Sequence, residues 1–372
     1  MIRILEVIRQ GQIGGGESHL LDLISFLDRN QIEPICLSFT DGEMINRLKQ
    51  MGVTCYIIKT DKPFDFKIQR KIKQLIADCH IDIVHAHGSR AASNMAWPAH
   101  SLHLPFIYTV HGWSFHDDQP WIIRKLRALS EKCICHYCDE VICVSQSNAD
   151  TGKEMFGLKD AYVIENGINL ERFNPSRNFD DLRPSMGLSA SDHVAGFIAR
   201  CTKQKNPIGF LMALEKAHQH NAKIKGVFVG EGDMDNEVNT YIKEHNMTEY
   251  LFRSKFRTDI PELLQAIDIY CLPSLWEGLS IALLEAMAMK KAIIATPTDG
   301  TRELIEHDKN GLIVPFNDTG TLAEAMLMLA EQPDKGKELG ESARRYVEQR
   351  FNAQRVADMV TEIYKKYNTN LV

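Results

Sequence analysis

The sequence predicts an α/β protein of two domains, each a parallel sheet covered by helices. Three observations carry that prediction. The chain has 372 residues, more than one ordinary core organises, and divides naturally in two. Short β-branched and apolar runs alternate with helix-forming runs along nearly its whole length, as in successive βαβ units. Residues 175–192 break the alternation with a polar, proline-containing stretch that reads as a linker. Composition is that of a globular protein, 44% hydrophobic and 25% charged. A net charge of −6 argues against a nucleic-acid binder. The first residues, MIRILEVIRQ, lack the long apolar core of a signal peptide and read as a strand, so a cytoplasmic protein is expected. Residues 91–116 carry no Asp, Glu, Lys or Arg, but Asn94, Pro98, His100, His103, Pro105 and His111 spoil them as a membrane span.

Residues 2–8 read as a buried strand, 9–16 as a loop ending in Gly14-Gly15-Gly16, and 17–27 as an amphipathic helix. A strand, a glycine-rich turn and a helix start favour an anion. The dinucleotide fingerprint is absent: the loop offers Gly11-x-x-Gly14-Gly15-Gly16 in place of G-x-G-x-x-G. Asp41, after the strand at 34–39, is the ribose acid that a rival NAD-dependent reading would use. Helices are expected over 44–51, 66–78 and 90–100, and strands over 53–58, 81–84 and 105–110. His85 and His87 alternate where the strand at 81–84 ends, which suits either a metal pair or a cleft or packing role. His111-Gly112-Trp113 follows the strand at 105–110 directly, and histidine is the side chain most easily tuned for proton work near neutral pH. Strands at 141–144 and 161–164 complete this half.

Nine cysteines show no disulfide framework, and Cys36, Cys55, Cys143 and Cys271 sit in apolar strand runs. Cys133, Cys135, His136 and Cys138 cluster in KCICHYC. That segment reads as a helix without a partner pair elsewhere to complete a zinc site, so buried thiols are expected. Two runs are basic: Lys62, Lys67, Arg70, Lys71 and Lys73 oppose only Asp65, and Arg124, Lys125, Arg127 and Lys132 oppose only Glu131, just after Trp121-Ile122-Ile123. They read as solvated helix faces or as contacts to anionic lipid.

In the second half, a strand at 193–198 leads into Arg200 and Lys205, and one at 224–229 into Gly230-Glu231-Gly232. The strand ending at Leu272 delivers Pro273 and the loop Ser274–Gly278. A helix is expected over 279–289, with Ala282, Leu283, Ala286 and Met287 on its apolar face and Lys290-Lys291 at its end. Glu277 sits just before that helix and Glu285 lies inside it, roughly 9 Å along the axis from Leu279. A carboxylate accepts two hydrogen bonds from a sugar or ribose diol, and the N–H groups at a helix start beside Gly278 suit a phosphate. Two diol acceptors flanking an anion site describe a nucleotide-sugar pocket. A strand at 292–295 runs into Thr296–Thr301, with a helix starting at 302, so polar loops lie at the C-terminal ends of adjacent parallel strands. Helices at 321–330, 335–350 and 353–367 follow.

In this order the residues resemble those of the retaining glycosyltransferases of family 4, which have the GT-B fold. The resemblance rests on Pro273-Ser274, Glu277-Gly278-Leu279, Glu285, Ala286-Met287-Ala288, Gly300, Glu303 and Gly311-Leu312-Ile313-Val314. Lys290 stands where Gly is usual, Asp299-Gly300 where Gly-Gly is common, Asn169 for Asp in Asn166-Gly167-Ile168-Asn169, and Ser254 for Gly. The resemblance implies two facing Rossmann-like domains with the active site in the cleft between them. Residues 1–175, joined by the C-terminal helix at 353–372, would form the acceptor side, and residues 190–352 would bind the nucleotide sugar. It implies that His111, Glu277, Arg200 and Lys205 act in catalysis, the two cations on the donor diphosphate. Gly15, Gly16, Gly230, Glu231, Arg257, Gly278, Leu279, Ser280 and Glu285 would bind the donor, with Glu285 on the ribose. The implied reaction moves a sugar from a nucleotide-sugar donor, a UDP-sugar ahead of a GDP-sugar, to a hydroxyl of a saccharide or lipid-linked saccharide. Anomeric configuration would be retained, in polysaccharide, lipopolysaccharide or glycolipid assembly. No cofactor and no metal are expected, and the expected cytoplasmic location becomes the inner face of the membrane if the basic runs meet lipid. A sugar-nucleotide epimerase or NAD-dependent enzyme on a similar scaffold is the alternative.

Overall fold

The computed structural model describes residues 1–115 and 119–367, so the last five residues of the segment expected at 353–372 lie outside it. The chain forms two compact units, one of residues 1–167 and 353 onward, the other of Ile168–Asn352.

The first unit runs β1 (Ile2–Ile8), α1 (Gly15–Phe26), β2 (Ile32–Ser38), α2 (Glu43–Gln50), β3 (Thr54–Ile57), α3 (Gln69–Asp78), β4 (Ile83–His87), α4 (Ser89–Ser101), β5 (Phe106–Val110), α5 (Trp121–Tyr137), β6 (Glu140–Cys143), α6 (Gln146–Phe156) and β7 (Tyr162–Val163). Its seven strands lie in the order β3-β2-β1-β4-β5-β6-β7, and the pairs are parallel. Parallel strands are buried on both faces, which is why they read as near-continuous apolar runs. Alternation along β1 sends Leu5 and Val7 to a core with Ile72, Ile76 and Met95. Ile2, Ile4 and Ile8 go to the opposite core with Leu20, Leu23 and Ile24 of α1. The last helix, α14, joins that second core through Val356, Val360, Ile363 and Tyr364.

The second unit runs β8 (His193–Ile198), α7 (Pro207–His220), β9 (Ile224–Val229), α8 (Asp235–Glu244), β10 (Leu251–Ser254), α9 (Ile260–Ala266), β11 (Ile269–Leu272), α10 (Ile281–Ala288), β12 (Ala292–Ala295), α11 (Asp299–Leu304), β13 (Leu312–Ile313), α12 (Thr319–Glu331) and α13 (Pro333–Arg350), before α14 (Ala353–Lys365) returns to the first. Its sheet has the order β10-β9-β8-β11-β12-β13, again with parallel pairs. The chain enters this unit beside the place where it leaves: Ile168 N–H donates to Phe351 O at 2.9 Å.

Residues 175–192, expected as a linker, pack onto the second unit instead. The Arg183 guanidinium donates to both carboxylate oxygens of Asp268, at 2.8 and 2.9 Å, and to Ala266 O at 2.9 Å, while Met186 and Leu188 are buried. Arg183 anchors the stretch to the second unit, while most of its other polar residues are exposed. The helix expected from 302 instead starts at Asp299, where Thr298 caps it by accepting from Thr301 N–H, and it ends at Leu304.

Lys290 explains why glycine is usual at its position. It follows α10 with φ +56°, the left-handed conformation that closes a helix. Lys290 N–H bonds Met287 O at 3.1 Å and Lys291 N–H bonds Ala286 O at 3.0 Å, the paired bonds of a Schellman end. A side chain in this region costs about 1–2 kcal/mol, partly offset because glycine loses more freedom on folding. Lys290→Gly is therefore expected to raise the unfolding free energy by roughly 0.5–1 kcal/mol in urea denaturation. An unchanged or lower midpoint would refute this account of the turn.

Candidate functional site

Chemistry in the second unit gathers where its strand order reverses. From β8 the sheet grows one way through β9 and β10 and the other way through β11, β12 and β13. The loops leaving β8 and β11 border the crevice this opens. Those loops are laced together: Leu275 N–H donates to Gln204 O at 2.8 Å, and Gln204 Nε2 to Trp276 O at 2.9 Å. The lacing brings Lys205 Nζ onto Glu277 Oε1, and Ser274 Oγ donates to the same oxygen at 2.7 Å. Both charged side chains are nearly buried, 11% exposed for Lys205 and 7% for Glu277. Two residues expected to grip different parts of a ligand thus grip each other. Among the described residues, Glu277 Oε2 makes no hydrogen bond.

Arg200 stands at the exit of β8, exposed and without an ion-pair partner among the described residues. Gly230 passes so close to that exit that a Cβ would stand 1.8 Å from Ala199 O, and its φ of +149° suits glycine. Glu231 serves there through its backbone, its carbonyl accepting from Cys201 N–H at 3.0 Å, with an exposed side chain. Arg257, expected to bind the donor, is engaged by its own loop. Its Nε donates to Asp259 Oδ1 at 2.8 Å and its Nη2 to Oδ2. Helix α10 begins at Ile281, two residues later than expected, so Leu279 and Ser280 are buried turn residues before it. Its first internal bond runs from Leu284 N–H to Ser280 O, so the N–H groups of 281–283 have no acceptor within the helix and suit an anion. Gly300 abuts this turn: a Cβ there would stand 1.9 Å from Gly278 O. Of the two positions where glycine is common, Gly300 is the one that geometry requires, and Asp299 is simply the first residue of α11.

Glu285 lies on α10, partly exposed. The Tyr270 hydroxyl, donating to Ile198 O at 3.1 Å, is pushed well above the usual phenol range by burial and then by the charges of Glu285 and Glu277. Both carboxylates therefore act on one buried group at the β8–β11 junction. The sequence also spells one Asp-x-Asp pair, Asp233-Met234-Asp235, after β9. Asp235 is ion-paired to Arg253 at 2.9 Å, and neither Asp joins a three-ligand group among the described residues.

In the first unit the strand order reverses between β1 and β4, and a histidine cluster stands there. His87 Nε2 meets Glu6 Oε2 at 2.8 Å and its Nδ1 meets His111 Nε2 at 3.3 Å. His85 Nδ1 meets the Tyr364 hydroxyl at 2.6 Å and its Nε2 meets Thr109 Oγ1 at 2.7 Å. Tyr364 in turn donates to Glu6 Oε1 at 2.8 Å. His19 lies edge-on to His111 with ring centres 4.8 Å apart. Burial, then neighbouring imidazoles, holds His111 and His85 well below the usual histidine range, and burial and His87 push His19 down to about 3. Gly15 and Gly16 are the first residues of α1, and a Cβ on Gly16 would stand 3.4 Å from His111 Cδ2. His19, His87 and His111 offer ligand atoms within 4.8 Å of one another, as do Glu6, His85 and His87. Either group could take a metal only by giving up bonds, because both ring nitrogens of His87 are already engaged.

Sequence reasoning assigned no role of their own to Glu6, His19 or Ser274. A lone carboxylate in the apolar strand ILEVI was the available signal, since a buried charge demands partners. Against the dinucleotide rival, the loop after β1 is docked on α2: Gly11 O accepts from Met44 N–H at 2.8 Å and Gly11 N–H donates to Thr40 Oγ1 at 3.0 Å. In KCICHYC, Cys133 is exposed and Cys135 and Cys138 are half-buried, so the expected burial holds only in part.

Residues 13–172 match the Glycosyltransferase Family 4 family, and residues 178–346 match Glycosyl transferases group 1. Over 315 residues the chain is 29% identical to the UDP-Gal:alpha-D-GlcNAc-diphosphoundecaprenol alpha-1,3-galactosyltransferase of Escherichia coli, across 81% of this chain and 79% of that protein. It is 27% identical over 288 residues to the alpha-maltose-1-phosphate synthase of Mycolicibacterium smegmatis, across 71% and 73% of the two chains. Its fold is similar to that of Anabaena Alr3699/HepE in complex with UDP and glucose, with a TM-score of 0.87 over 98% of this chain and 100% of that one. At 22% identity this is a likeness of fold. Two parallel α/β units, with charged loops gathered where the second sheet reverses and matched half by half to these families, make the chain a glycosyltransferase of GT-B architecture.

Proposed function

We propose that the chain transfers a sugar from a UDP-sugar to a hydroxyl of a lipid-linked saccharide, with retention of anomeric configuration and without a metal. The Lys205–Glu277 pair at the β8–β11 reversal carries this reading. As the sugar–phosphate bond breaks, the leaving diphosphate gains negative charge that must be met by groups already in place. Arg200, Lys205 and the N–H groups at the start of α10 are such groups, and Arg200 offers two parallel donors where Lys205 offers a point charge. Lys205 and Ser274 hold Glu277 Oε1, leaving Oε2 to accept from a hydroxyl of the donor sugar. A carboxylate so tied is a poor nucleophile, which favours same-face transfer in which the departing phosphate takes the acceptor proton. Glu285 takes the ribose, Gly230 and Glu231 line the nucleotide side with Arg257 near the base, and Gly278, Leu279 and Ser280 face the phosphates. In the first unit, His111 is the residue proposed to meet a ligand hydroxyl, with Gly16 beside its ring and Gly15 before it at the start of α1. The UDP donor is supported by the names of the Escherichia coli relative and of the HepE complex, and the lipid-linked acceptor by the former.

Transfer is expected to survive EDTA and to give one product anomer matching the donor when followed by proton NMR. Arg200→Ala should lower the rate ~10²–10³-fold while the protein stays folded. Metal-dependent transfer, inversion, or a near wild-type Arg200→Ala variant would each undo the corresponding part of the mechanism. The ion pair is testable separately. In a double-mutant cycle of Lys205→Met and Glu277→Gln, denaturant unfolding should give a coupling of about 1–3 kcal/mol, since either single change strands a nearly buried charge. Strict additivity would show that the pair does not form.

We infer that α5 lies on an anionic membrane. Its inward stripe is narrow and partly polar: Ala128, Glu131 and Ile134 are buried, with Glu131 accepting from Ser89 Oγ at 2.5 Å and Ser114 N–H at 3.2 Å. Its outward side carries Trp121, Leu126 and Leu129 at 66%, 62% and 63% exposure, beside Ile122, Ile123, Lys125, Arg127 and Lys132. Large apolar residues turned outward among cations fit an interface where apolar groups enter the lipid and cations meet headgroups. Near Phe66 and Trp97, also exposed, the run Lys62 to Lys73 repeats the combination, and Lys73 Nζ sits 5.7 Å over the Trp97 ring. No helix among the described residues is long and apolar enough to cross a membrane. Co-sedimentation should show binding to vesicles containing phosphatidylglycerol, weaker binding in high salt, and loss of binding in the Ile122→Glu/Leu126→Glu variant. Equal binding by that variant, or none by the wild type, would exclude this face.

A further inference from the structure

The hydrogen bonds around Glu6 admit an assignment that satisfies both of its carboxylate oxygens. Tyr364 donates its hydroxyl to Glu6 Oε1 at 2.8 Å, so its oxygen accepts from His85 Nδ1, and His85 Nε2 accepts from the Thr109 hydroxyl. On the other carboxylate oxygen, Glu6 Oε2 accepts, so His87 Nε2 donates across 2.8 Å. A neutral imidazole carries one N–H. With His87 taken as such a neutral imidazole, its Nδ1 is an acceptor, and the proton in the 3.3 Å contact belongs to His111 Nε2. By the same rule His111 Nδ1 is left bare, and among the described residues nothing bonds to it.

We propose that Glu6 and His87 are positioning residues that hold His111 in its Nε2–H tautomer and so present Nδ1 as the acceptor for a ligand hydroxyl. The proposal rests on the reading of His111 given above and assigns the ring nitrogen that does the work. A carboxylate with no exposed surface, in a strand otherwise apolar, is destabilising unless its partners offset the lost hydration. Here they are drawn from β4 and from α14, the last described helix of the chain. The logic is that of a catalytic triad, where a buried carboxylate fixes the imidazole tautomer, extended by one further imidazole. His19, kept neutral by burial and held edge-on to His111, adds no cation to compete for the bare nitrogen.

Nitrogen-15 NMR of the full-length protein labelled at histidine reads the tautomers directly. In the wild type, His87 and His111 should both be protonated at Nε2 and His85 at Nδ1. Glu6→Leu removes the acceptor, so the Nε2–H preference of His87 and His111 should be lost, with kcat for transfer about tenfold lower and donor KM unchanged. Glu6→Gln should rescue both. Its amide oxygen still accepts from His87, while its NH₂ donates to Tyr364 and reverses the branch through His85 to Thr109, so that only the His85 tautomer inverts. A wild-type His111 protonated at Nδ1 overturns the proposal, as does a folded Glu6→Leu variant with His111 unaltered. If Glu6→Leu does not fold, the wild-type and Glu6→Gln spectra decide alone, and loss of the His111 tautomer in Glu6→Gln counts against it. A tautomer shift in Glu6→Leu with undiminished transfer supports the relay and removes His111 from the transfer reaction instead.

Discussion

A parallel sheet covered by helices on both faces has no wet side, so it can place reactive polar groups only where its strands end. Both units obey this constraint. In the second, the loops after β8 and β11 carry Arg200, Lys205 and Glu277 to the point where the strand order reverses. In the first, His87 closes β4 and His111 follows β5 directly. Glu6 and His85 break the rule by sitting inside strands, and burial there demands a complete set of partners. Tyr364, His87 and Thr109 leave neither side chain with an unmet bond to its neighbours. The exception is tolerable because α14, packed on α1, brings a hydroxyl to the strand that the carboxylate interrupts.

Crowding at the strand ends sets a second condition. The turn after β9 touches the exit of β8, and the start of α11 touches the turn before α10, at distances that leave no room for a Cβ on Gly230 or Gly300. These contacts fix the loops against one another. Their side chains then work from fixed positions, which is the condition under which a preorganised cation stabilises developing charge. Lys290 shows the opposite case. It occupies a left-handed position that glycine would hold with less strain, yet the Schellman bonds still close the helix, so the departure costs stability and leaves the site intact.

The alternation of strands and helices was legible in the sequence because burial on both faces writes itself as apolar runs. Residue pairings were not. Lys205 and Glu277 stand 72 positions apart and His87 and Glu6 stand 81 apart, and no local period connects them. The resemblance to family 4 gave Lys205 to the phosphates and Glu277 to the sugar without showing that the two bind each other first. The stretch at 175–192 misled for a different reason. Its polar residues suggested solvent, whereas Arg183 directs its charge to Asp268 and its remaining donors to backbone carbonyls. In α5 the basic residues were visible, but the side on which Trp121, Leu126 and Leu129 lie depends on what Glu131 binds inside, and that is tertiary information.

The pairing of Lys205 with Glu277 bears on how a diphosphate is received. An ammonium left alone in a nearly closed crevice would lose several kcal/mol of hydration with nothing in return. Pairing with Glu277 removes that cost before a ligand arrives, and the ammonium has further N–H donors to share with a phosphate oxygen. Glu277 loses little by sharing, since Ser274 still donates to the same carboxylate oxygen. In the transfer proposed above, an incoming diphosphate would meet a cation that is already desolvated and oriented, beside the N–H groups of α10 and the exposed Arg200. Lys205 is fixed by its pair, whereas Arg200 is not. On that proposal the two cations differ: Lys205 is held by Glu277 before a ligand arrives, whereas exposed Arg200 would be placed by the ligand itself.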